Sequence, residues 1–373
     1  MKQIVAGLMA AALLGGCGGG SNPFERSATE DESATDGGTT DDGTTDGGTT
    51  DDGSTDGETN TDGDSSPTVN TEVAVPEELA GNVRSVSFDA ATQTLVVEAL
   101  NLDDVPVRAV YRRRPGLDRN GYVGFSVQND PLDRHFTAFA KESSNSNSVR
   151  AAVVGSGGPR NIGFRGGFFE RDGDYTPPEV SETTGLVSYA GRYVGISNIG
   201  VTNGSDLAEI PVDLLTSEAF PEELRPTQAV SVDGKVFINA DFADNSVEGN
   251  VFDRRLVETN TRLPSVVLVT SPIAGNGTFN GDVEIDSRED LNEDGIADGS
   301  RTVLGSYGGV FGGPNADAVA GIINLDDLGG GPELEDLGLN GELLETGIFV
   351  LDQCGQTVDA ELCNLVNPDV ASP

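Results

Sequence analysis

Short hydrophobic runs, alternating or rich in β-branched residues, recur from about residue 75 onward and are bounded by Gly, Asn, Asp or Pro. This pattern is typical of β-strands rather than helices. In a first block it predicts strands over residues 83–88, 94–98, 107–111, 122–127, 135–140 and 149–154. In a second block it predicts strands over residues 185–196, 229–242, 246–252, 265–269, 277–285, 301–311, 319–325 and 347–351.

Helical periodicity is nearly absent, so the sequence predicts an all-β fold. Only residues 206–217 and 221–224 suggest a short helical turn within a loop. Turn-forming residues and paired prolines at 172–178 interrupt the strand pattern and predict a boundary between a domain at 75–178 and one at 179–373. The second block has about the number of strands that closes a small up-and-down antiparallel barrel of eight strands, which leaves no exposed sheet edge.

The first 16 residues have the features of an export signal. Lys2 supplies a positive charge, residues 4–14 are apolar, and small residues lead into Cys17. The segment resembles the lipobox of bacterial lipoproteins, which implies cleavage before Cys17 and a lipid anchor on that residue. Gly18 stands where an inner-membrane retention signal would place Asp, which favours the outer membrane. The alternatives are an ordinary signal peptide with an incidental cysteine or a short anchor, although about twenty apolar residues are needed to span a bilayer.

Residues 17–74 predict a disordered tether. Between residues 27 and 68 the chain is built almost entirely of Thr, Asp, Gly and Ser, with 13 acidic residues and no Lys or Arg. Such a segment cannot bury enough surface to offset its ordering entropy, and its charges repel one another. It is therefore interpreted as a spacer; weak calcium binding by its Asp-Gly pairs is the alternative.

The formal net charge is −40. This argues against a nucleic-acid partner, because phosphate recognition depends on Lys and Arg. The run of arginines at 112–114 is too small to reverse that conclusion and is interpreted as a solvated strand end.

Beyond Cys17 the chain has two cysteines, Cys354 and Cys363, near its C-terminus. In an exported protein they are expected to form a disulfide that staples the tail after the last strand. A zinc site is disfavoured because His135 is the chain's single histidine.

Residues 184–195, 240–253, 277–281 and 309–321 carry a family resemblance. They contain, in order, a Tyr-x-Gly strand, a strand pair, a Gly hairpin and a Gly-x-Phe-x-Gly-Pro-x-Ala stretch that starts at Gly309. This order resembles the barrel domain of the transferrin-binding protein B family of surface lipoproteins, over roughly residues 184–327. The resemblance implies an eight-stranded barrel beside a small, sheet-rich, handle-like domain. Known members have two such lobes and this chain has room for one, so transferrin binding is not carried over.

The glycine-rich strand before residue 313 also has a physical interpretation. Alternation places Tyr307 and Phe311 on one face, and the glycines between them permit the sharp coiling of a small barrel. These residues are therefore predicted to serve architecture rather than binding.

Residues 290–298 read D-x-N-x-D-G-x-x-D and predict a calcium loop. Asp290, Asn292, Asp294 and Asp298 would supply side-chain oxygens, and Ile296 its carbonyl. The pattern resembles the loops of thrombospondin type 3 repeats and dockerins. Against it, the twelfth position is Arg301, where an EF-hand places Glu. A polar hairpin loop is the alternative.

Catalytic patterns are lacking in the sequence: there is no Gly-x-Ser-x-Gly elbow and no Walker lysine. The sequence favours a non-enzymatic binding module without a firmly indicated cofactor, calcium being the candidate. Its ligand would be an unidentified solute or protein, with iron or haem uptake as the candidate process, and would be bound by loops 198–224 and 286–299. The alternatives are a structural envelope protein or adhesin and, less favoured, a carbohydrate-active enzyme with paired carboxylates.

Overall fold

Antiparallel β-strands account for most of the ordered secondary structure in the computed structural model. The structure describes residues 73–89, 91–101, 104–158, 163–181, 185–215, 221–288, 302–326, 343–356 and 360–366. The signal segment and the tether, including Cys17, lie outside these ranges. The all-β fold predicted from the strand pattern is confirmed.

Seven strands form the first sheet, in sequence order and all antiparallel. A hydrogen bond of 3.0 Å from the Asn82 amide to the Arg165 carbonyl links the start of the first strand to the last, so that the sheet nearly closes on itself. The strands are β1 (Val83–Asp89), β2 (Thr94–Leu100), β3 (Pro106–Arg113), β4 (Val123–Val127), β5 (Phe136–Glu142), β6 (Val149–Ser156) and β7 (Arg165–Arg171).

Eight of the strands in the second block close into the predicted barrel. Each pairs with the next, and the last pairs with the first through Thr346 opposite Ile196. A two-residue strand, β11 (Thr261–Arg262), pairs antiparallel with the C-terminal end of β10. The strands of the barrel are β8 (Leu186–Val201), β9 (Gln228–Asp241), β10 (Ser246–Leu256), β12 (Val266–Pro272), β13 (Thr278–Ile285), β14 (Val303–Gly312), β15 (Ala318–Leu325) and β16 (Glu345–Asp352).

Aromatic side chains fill the barrel interior. Phe311 stands at their centre, with its ring 5.1 Å from that of Phe279, 5.2 Å from Phe242 and 5.5 Å from Tyr189. Tyr307 and Phe311 are both buried in this core, as the alternation of β14 predicts. The glycine-rich strand therefore serves packing.

The outer wall of the barrel is also apolar where the first sheet covers it. Val310 and Ile322 of the barrel share one buried cluster with Val149 and Val153 of the first sheet. Tyr122 bridges the two sheets, because its hydroxyl donates to the Arg192 carbonyl over 2.8 Å and accepts the Val350 amide over 3.0 Å. The two sheets are therefore joined by both apolar packing and hydrogen bonds.

Helices are short. They span Glu77–Ala80, Val212–Leu215 and Ala360–Val366, with 3-10 turns at Pro115–Leu117, Glu222–Leu224 and Pro314–Ala316. The helical segment predicted at 206–217 is thus reduced to Val212–Leu215 in its described part. In the ranges that the structure describes, no helix is long and apolar enough to cross a membrane.

Candidate functional site

An apolar pocket opens in the side of the first sheet. Its volume is about 490 Å³. The strands β2 and β3, the entry to β5 and the segment before β7 form its walls. The apolar lining residues are Val97, Ala99, Val107, Ala109, Tyr111, Val127, Phe136 and Phe164.

The opening exists because β3 and β4 diverge. These strands pair only at Arg112 opposite Ser126 and Arg113 opposite Phe125. Residues 106–111 of β3 have their other edge on β2, and they form no ladder with β4 in the described part of the chain. Val107 remains 40% exposed at this gap. The separation of the two strands leaves a gap through which a ligand can reach side chains that continuous pairing of β3 with β4 would cover.

Polar side chains gather at one side of the mouth. Asn101, Gln128, Asn129, Asp133 and Arg134 lie there. They follow the ends of β2 and β4 and precede β5, where the chain turns away from the sheet.

Arg134 is the cation of this rim. Its Nη1 donates to Ser156 Oγ over 3.3 Å, and burial lowers the pKa of its guanidinium below the ordinary value. A partly desolvated cation beside apolar walls attracts an anionic group more strongly than a fully hydrated one.

Two aromatic rings shape the deep side of the pocket. Phe136 and Phe164 meet edge to face, with ring centroids 5.5 Å apart. Tyr111 is buried nearby, and burial raises the pKa of its phenol well above the ordinary value, so that it stays neutral. Apolar walls with a few convergent polar groups and a volume of about 300–1,000 Å³ are typical of small-molecule sites. The arrangement suits an apolar or amphipathic ligand with an anionic end.

The predicted calcium ligands Asp290, Asn292, Asp294, Ile296 and Asp298 lie outside the described residues. Among the residues that are described, no group of three or more His, Cys, Asp or Glu side chains could hold a metal ion. The calcium loop therefore stays a prediction.

The two C-terminal cysteines are bonded to each other in the structure. Cys354 and Cys363 have Cα atoms 5.7 Å apart. The bond joins the end of β16 to the helix Ala360–Val366, whose Leu362 packs on the outer barrel wall at Ala190.

His135 is fully buried. It lies one residue before β5, and its Nε2 is 3.0 Å from Oδ2 of Asp206 in the loop after β8. The same carboxylate accepts a hydrogen bond from Ser126 and lies 3.0 Å from Arg114 Nε. Part of the loop predicted to bind a ligand, 198–224, is therefore used to attach the barrel to the first sheet.

The sequence pattern does not indicate this pocket, and the barrel loops that it favours as a binding site do not line it. Of the valines in and beside β3, only Val107 lines the pocket, and it is 40% exposed. The divergence of β3 from β4 depends on how the whole sheet is arranged, and the local sequence pattern does not predict it.

No protein-family model matches this chain, and no curated protein does. Solved structures of transferrin-binding protein B are similar to it in fold. A double mutant of the protein from Haemophilus parasuis Hp5 is 13% identical, with a TM-score of 0.34, and the match covers 73% of this chain and 45% of that one. Intact Ap-TbpB, with N and C lobes, is 11% identical over 72% of this chain and 54% of its own, with a TM-score of 0.33.

The isotype 1 protein from serogroup B Neisseria meningitidis is 12% identical over 72% of this chain and 51% of its own, with a TM-score of 0.31. This chain spans about half the length of the structures it matches.

Proposed function

We propose that this protein is a non-enzymatic binding module, held by a lipid on Cys17 at the outer bacterial surface, and that its pocket in the first sheet takes an amphipathic solute with an anionic end. The observation that carries the proposal is the apolar pocket of about 490 Å³ with Arg134 at its rim. The lipobox-like segment before Cys17 supports the location, and the absence of recognisable catalytic motifs from the sequence supports a binding role.

A ligand that fits this chemistry is a long-chain carboxylate. Its hydrocarbon part would replace water against Val97, Ala99 and Phe136, and burial of apolar area contributes about 25 cal/mol per Å². Its carboxylate would meet the Arg134 guanidinium through a charge-assisted hydrogen bond. The neighbouring Asp133 would disfavour a second negative charge at the same end.

The test is a fluorescence titration of the full chain with cis-parinaric acid. Ala109→Phe fills the pocket from the inner face of β3 and is expected to abolish binding. Val110→Phe places the same ring on the outer face, where Val110 is exposed, and is expected to leave binding unchanged. Equal binding by the wild type and Ala109→Phe would show that the probe sits elsewhere.

The role of Arg134 is tested by a head-group comparison. Arg134→Gln should weaken binding of the carboxylate about tenfold, since one charge-assisted hydrogen bond is lost, while binding of the matching neutral alcohol stays the same. Equal weakening of both probes would assign Arg134 to the shape of the pocket instead.

A second candidate is recognition of a protein ligand, and the open edge of β3 favours it. An extended peptide could pair with residues 106–111 and insert alternate side chains into the pocket. Native mass spectrometry of protein released gently from membranes separates the two candidates, because a solute and a peptide differ in bound mass.

A further inference from the structure

Arg134, the cation at the rim of the apolar pocket, is held from both sides by one short segment of the barrel. This segment is residues 206–208, in the loop after β8. Asp206 contacts the residue that follows Arg134, and the Ala208 amide bonds to the side chain that holds the residue before it. Neither Asp206 nor Ala208 lines the pocket. The contacts therefore act on the position of Arg134 and not directly on a ligand.

His135 forms the contact on one side. Its Nε2 lies 3.0 Å from Asp206 Oδ2, and in the described part of the chain its buried Nδ1 has no hydrogen-bond partner. The ring is therefore oriented through one nitrogen, and the partner of that nitrogen is Asp206. Arg134 and Phe136, the two neighbours of His135 in the sequence, both line the pocket. The backbone that carries them is thus fixed by the same contact.

Gln128 forms the contact on the other side. Its Nε2 donates to the Asp133 carbonyl over 3.0 Å, and its Oε1 accepts the Ala208 amide over 2.9 Å. The side chain thereby joins the loop after β8 to the segment that precedes β5. The residues before and after Arg134 are both bonded to the barrel, one through Gln128 and the other directly.

The Asp206 carboxylate also lies where the ladder between β3 and β4 ends, at Arg112 opposite Ser126. Ser126 Oγ donates to its Oδ2, and Arg114 Nε lies 3.0 Å from its Oδ1. Although burial raises the pKa of Asp206, hydrogen bonds from His135 and Ser126 bring it below its ordinary value, so the group is ionised at neutral pH. Hydrogen bonds to an ionised group are roughly twice as strong as neutral ones. One charged group therefore fastens three segments around the opening of the pocket.

The loop is itself anchored on the barrel. The Asp206 amide donates to Gln228 Oε1 over 3.0 Å, and Gln228, at the start of β9, is buried. A binding group that is held by supporting hydrogen bonds keeps its geometry and loses less entropy when a ligand binds. The rim of the pocket thus takes its position from the barrel as well as from the first sheet.

We propose that Asp206 is a positioning residue for the pocket and holds the Arg134 guanidinium where it meets the anionic end of a ligand. This inference rests on the proposed function, in which Arg134 contacts that end. It gives the barrel a part in selecting the ligand, because its loop favours an anionic head group over a neutral one without lining the pocket.

The experiment compares the full-length wild type with Asp206→Asn, Arg134→Gln and the double variant. Fluorescence titration measures the affinity for cis-parinaric acid and for the matching neutral alcohol. Asp206→Asn keeps the shape of the side chain and removes its charge. Asp244→Asn, in the exposed hairpin between β9 and β10, removes an equal charge elsewhere. Loss of a negative charge would by itself strengthen the binding of an anion, so a weakening does not arise from net charge.

Asp206→Asn is expected to weaken binding of the carboxylate about fivefold and that of the alcohol less than about twofold. In the Arg134→Gln background the same change is expected to weaken it less than about twofold further, because a positioning residue acts through the group that it positions. Asp244→Asn is expected to bind as the wild type does. Losses that multiply in the double variant overturn the proposal, and so does equal weakening of both probes or unchanged binding in Asp206→Asn.

Hydrogen exchange separates this inference from the proposed function, because it needs no ligand. The amides of residues 132–135 are expected to exchange faster in Asp206→Asn than in the wild type, while those of β6 stay protected. If the wild type binds neither probe, the proposed function fails, and faster exchange at 132–135 still supports the role of Asp206 in holding Arg134. Unchanged exchange at these residues overturns that role, and faster exchange throughout β6 assigns Asp206 to global stability instead.

Discussion

Arg254 Nη2 donates to Glu345 Oε2 over 2.6 Å inside the barrel, where both side chains are fully buried. The other carboxylate oxygen, Oε1, accepts the Tyr193 hydroxyl over 2.6 Å, and Arg254 Nη1 donates to the Pro264 carbonyl over 2.5 Å. Burying an ion pair in a low-dielectric core carries a large desolvation cost. The pair is therefore stabilising mainly by comparison with a core in which one of the two charges is buried without its partner. The two residues therefore behave as a unit.

The first prediction concerns this unit. Glu345→Leu should lower the free energy of unfolding by about 3–5 kcal/mol, because it leaves the guanidinium buried without its counter-charge. Adding Arg254→Met should restore most of that loss. Urea denaturation of the wild type, both single variants and the double variant measures the coupling. Additive losses would contradict the coupling.

The second prediction concerns acid. Burial alone would raise the pKa of Asp206, but hydrogen bonds from His135 and Ser126 and the charge of Arg114 outweigh it, and the net pKa is lowered from 3.8. A carboxyl whose pKa is lower in the folded state stabilises the fold above its unfolded pKa and loses that contribution as the pH falls through its folded pKa. Urea midpoints should therefore fall less steeply below pH 3.8 in Asp206→Asn than in the wild type.

Asp233 serves as the control for this prediction, because its pKa is shifted in the opposite direction from that of Asp206. Burial raises its pKa from 3.8 despite the neighbouring Arg255, so protonation of this group favours the folded state as the pH falls. Asp233→Asn removes that gain and should make the acid loss steeper than in the wild type. Identical slopes for the two variants would show that neither carboxyl governs acid stability.

The third prediction concerns the disulfide. Cys354→Ser should release the C-terminal helix, since closing a loop of this size contributes about 2–3 kcal/mol. Hydrogen exchange is expected to accelerate in residues 360–366 while the core strand β15 stays protected. Reduction of the wild type should reproduce the effect. Faster exchange throughout the barrel would instead make the bond a global determinant of stability.

The fourth prediction concerns the calcium loop proposed at residues 290–298. If Asp294 is a ligand, a chelator should lower the melting temperature of the wild type, and Asp294→Ala should lose this response, because a ligand stabilises only the state that binds it. Asp244→Ala, an exposed acidic residue in another hairpin, should respond as the wild type does. A chelator response retained in Asp294→Ala would place the ion elsewhere.

The strands were predictable from the sequence because the apolar residues of each predicted run lie on a face of the strand that packs into a core. All 14 predicted runs correspond to observed strands, including the eight that close the barrel. The strand β7 was missed because Gly166 and Gly167 weaken its pattern. A methyl group at Gly166 would lie 2.0 Å from the Ala80 carbonyl oxygen, and one at Gly167 would lie 2.7 Å from Ile322. Glycine is required at these two positions because neighbouring segments of the fold pack closely against the backbone there. Local strand propensity contains no information about such contacts.

The inward position of Arg254 was equally hidden. Val247 and Val251 point into the barrel, so simple alternation would turn Asp253 and Arg255 inward as well. The register shifts between Phe252 and Arg255, with Asp253 at a φ of 51°, and this bulge sends Arg254 inward and Arg255 outward. The same irregularity thus places Arg254 where it can pair with Glu345 inside the barrel.

The apolar flank of the barrel bears on how the molecule must assemble. Val310, Ala320 and Ile322 look outward, toward the first sheet, rather than into the cylinder. A fragment of the chain that contains the barrel alone, beginning near residue 178, would expose this apolar surface to solvent. Such a fragment is expected to self-associate. We therefore expect each half to be less soluble alone than the two halves together.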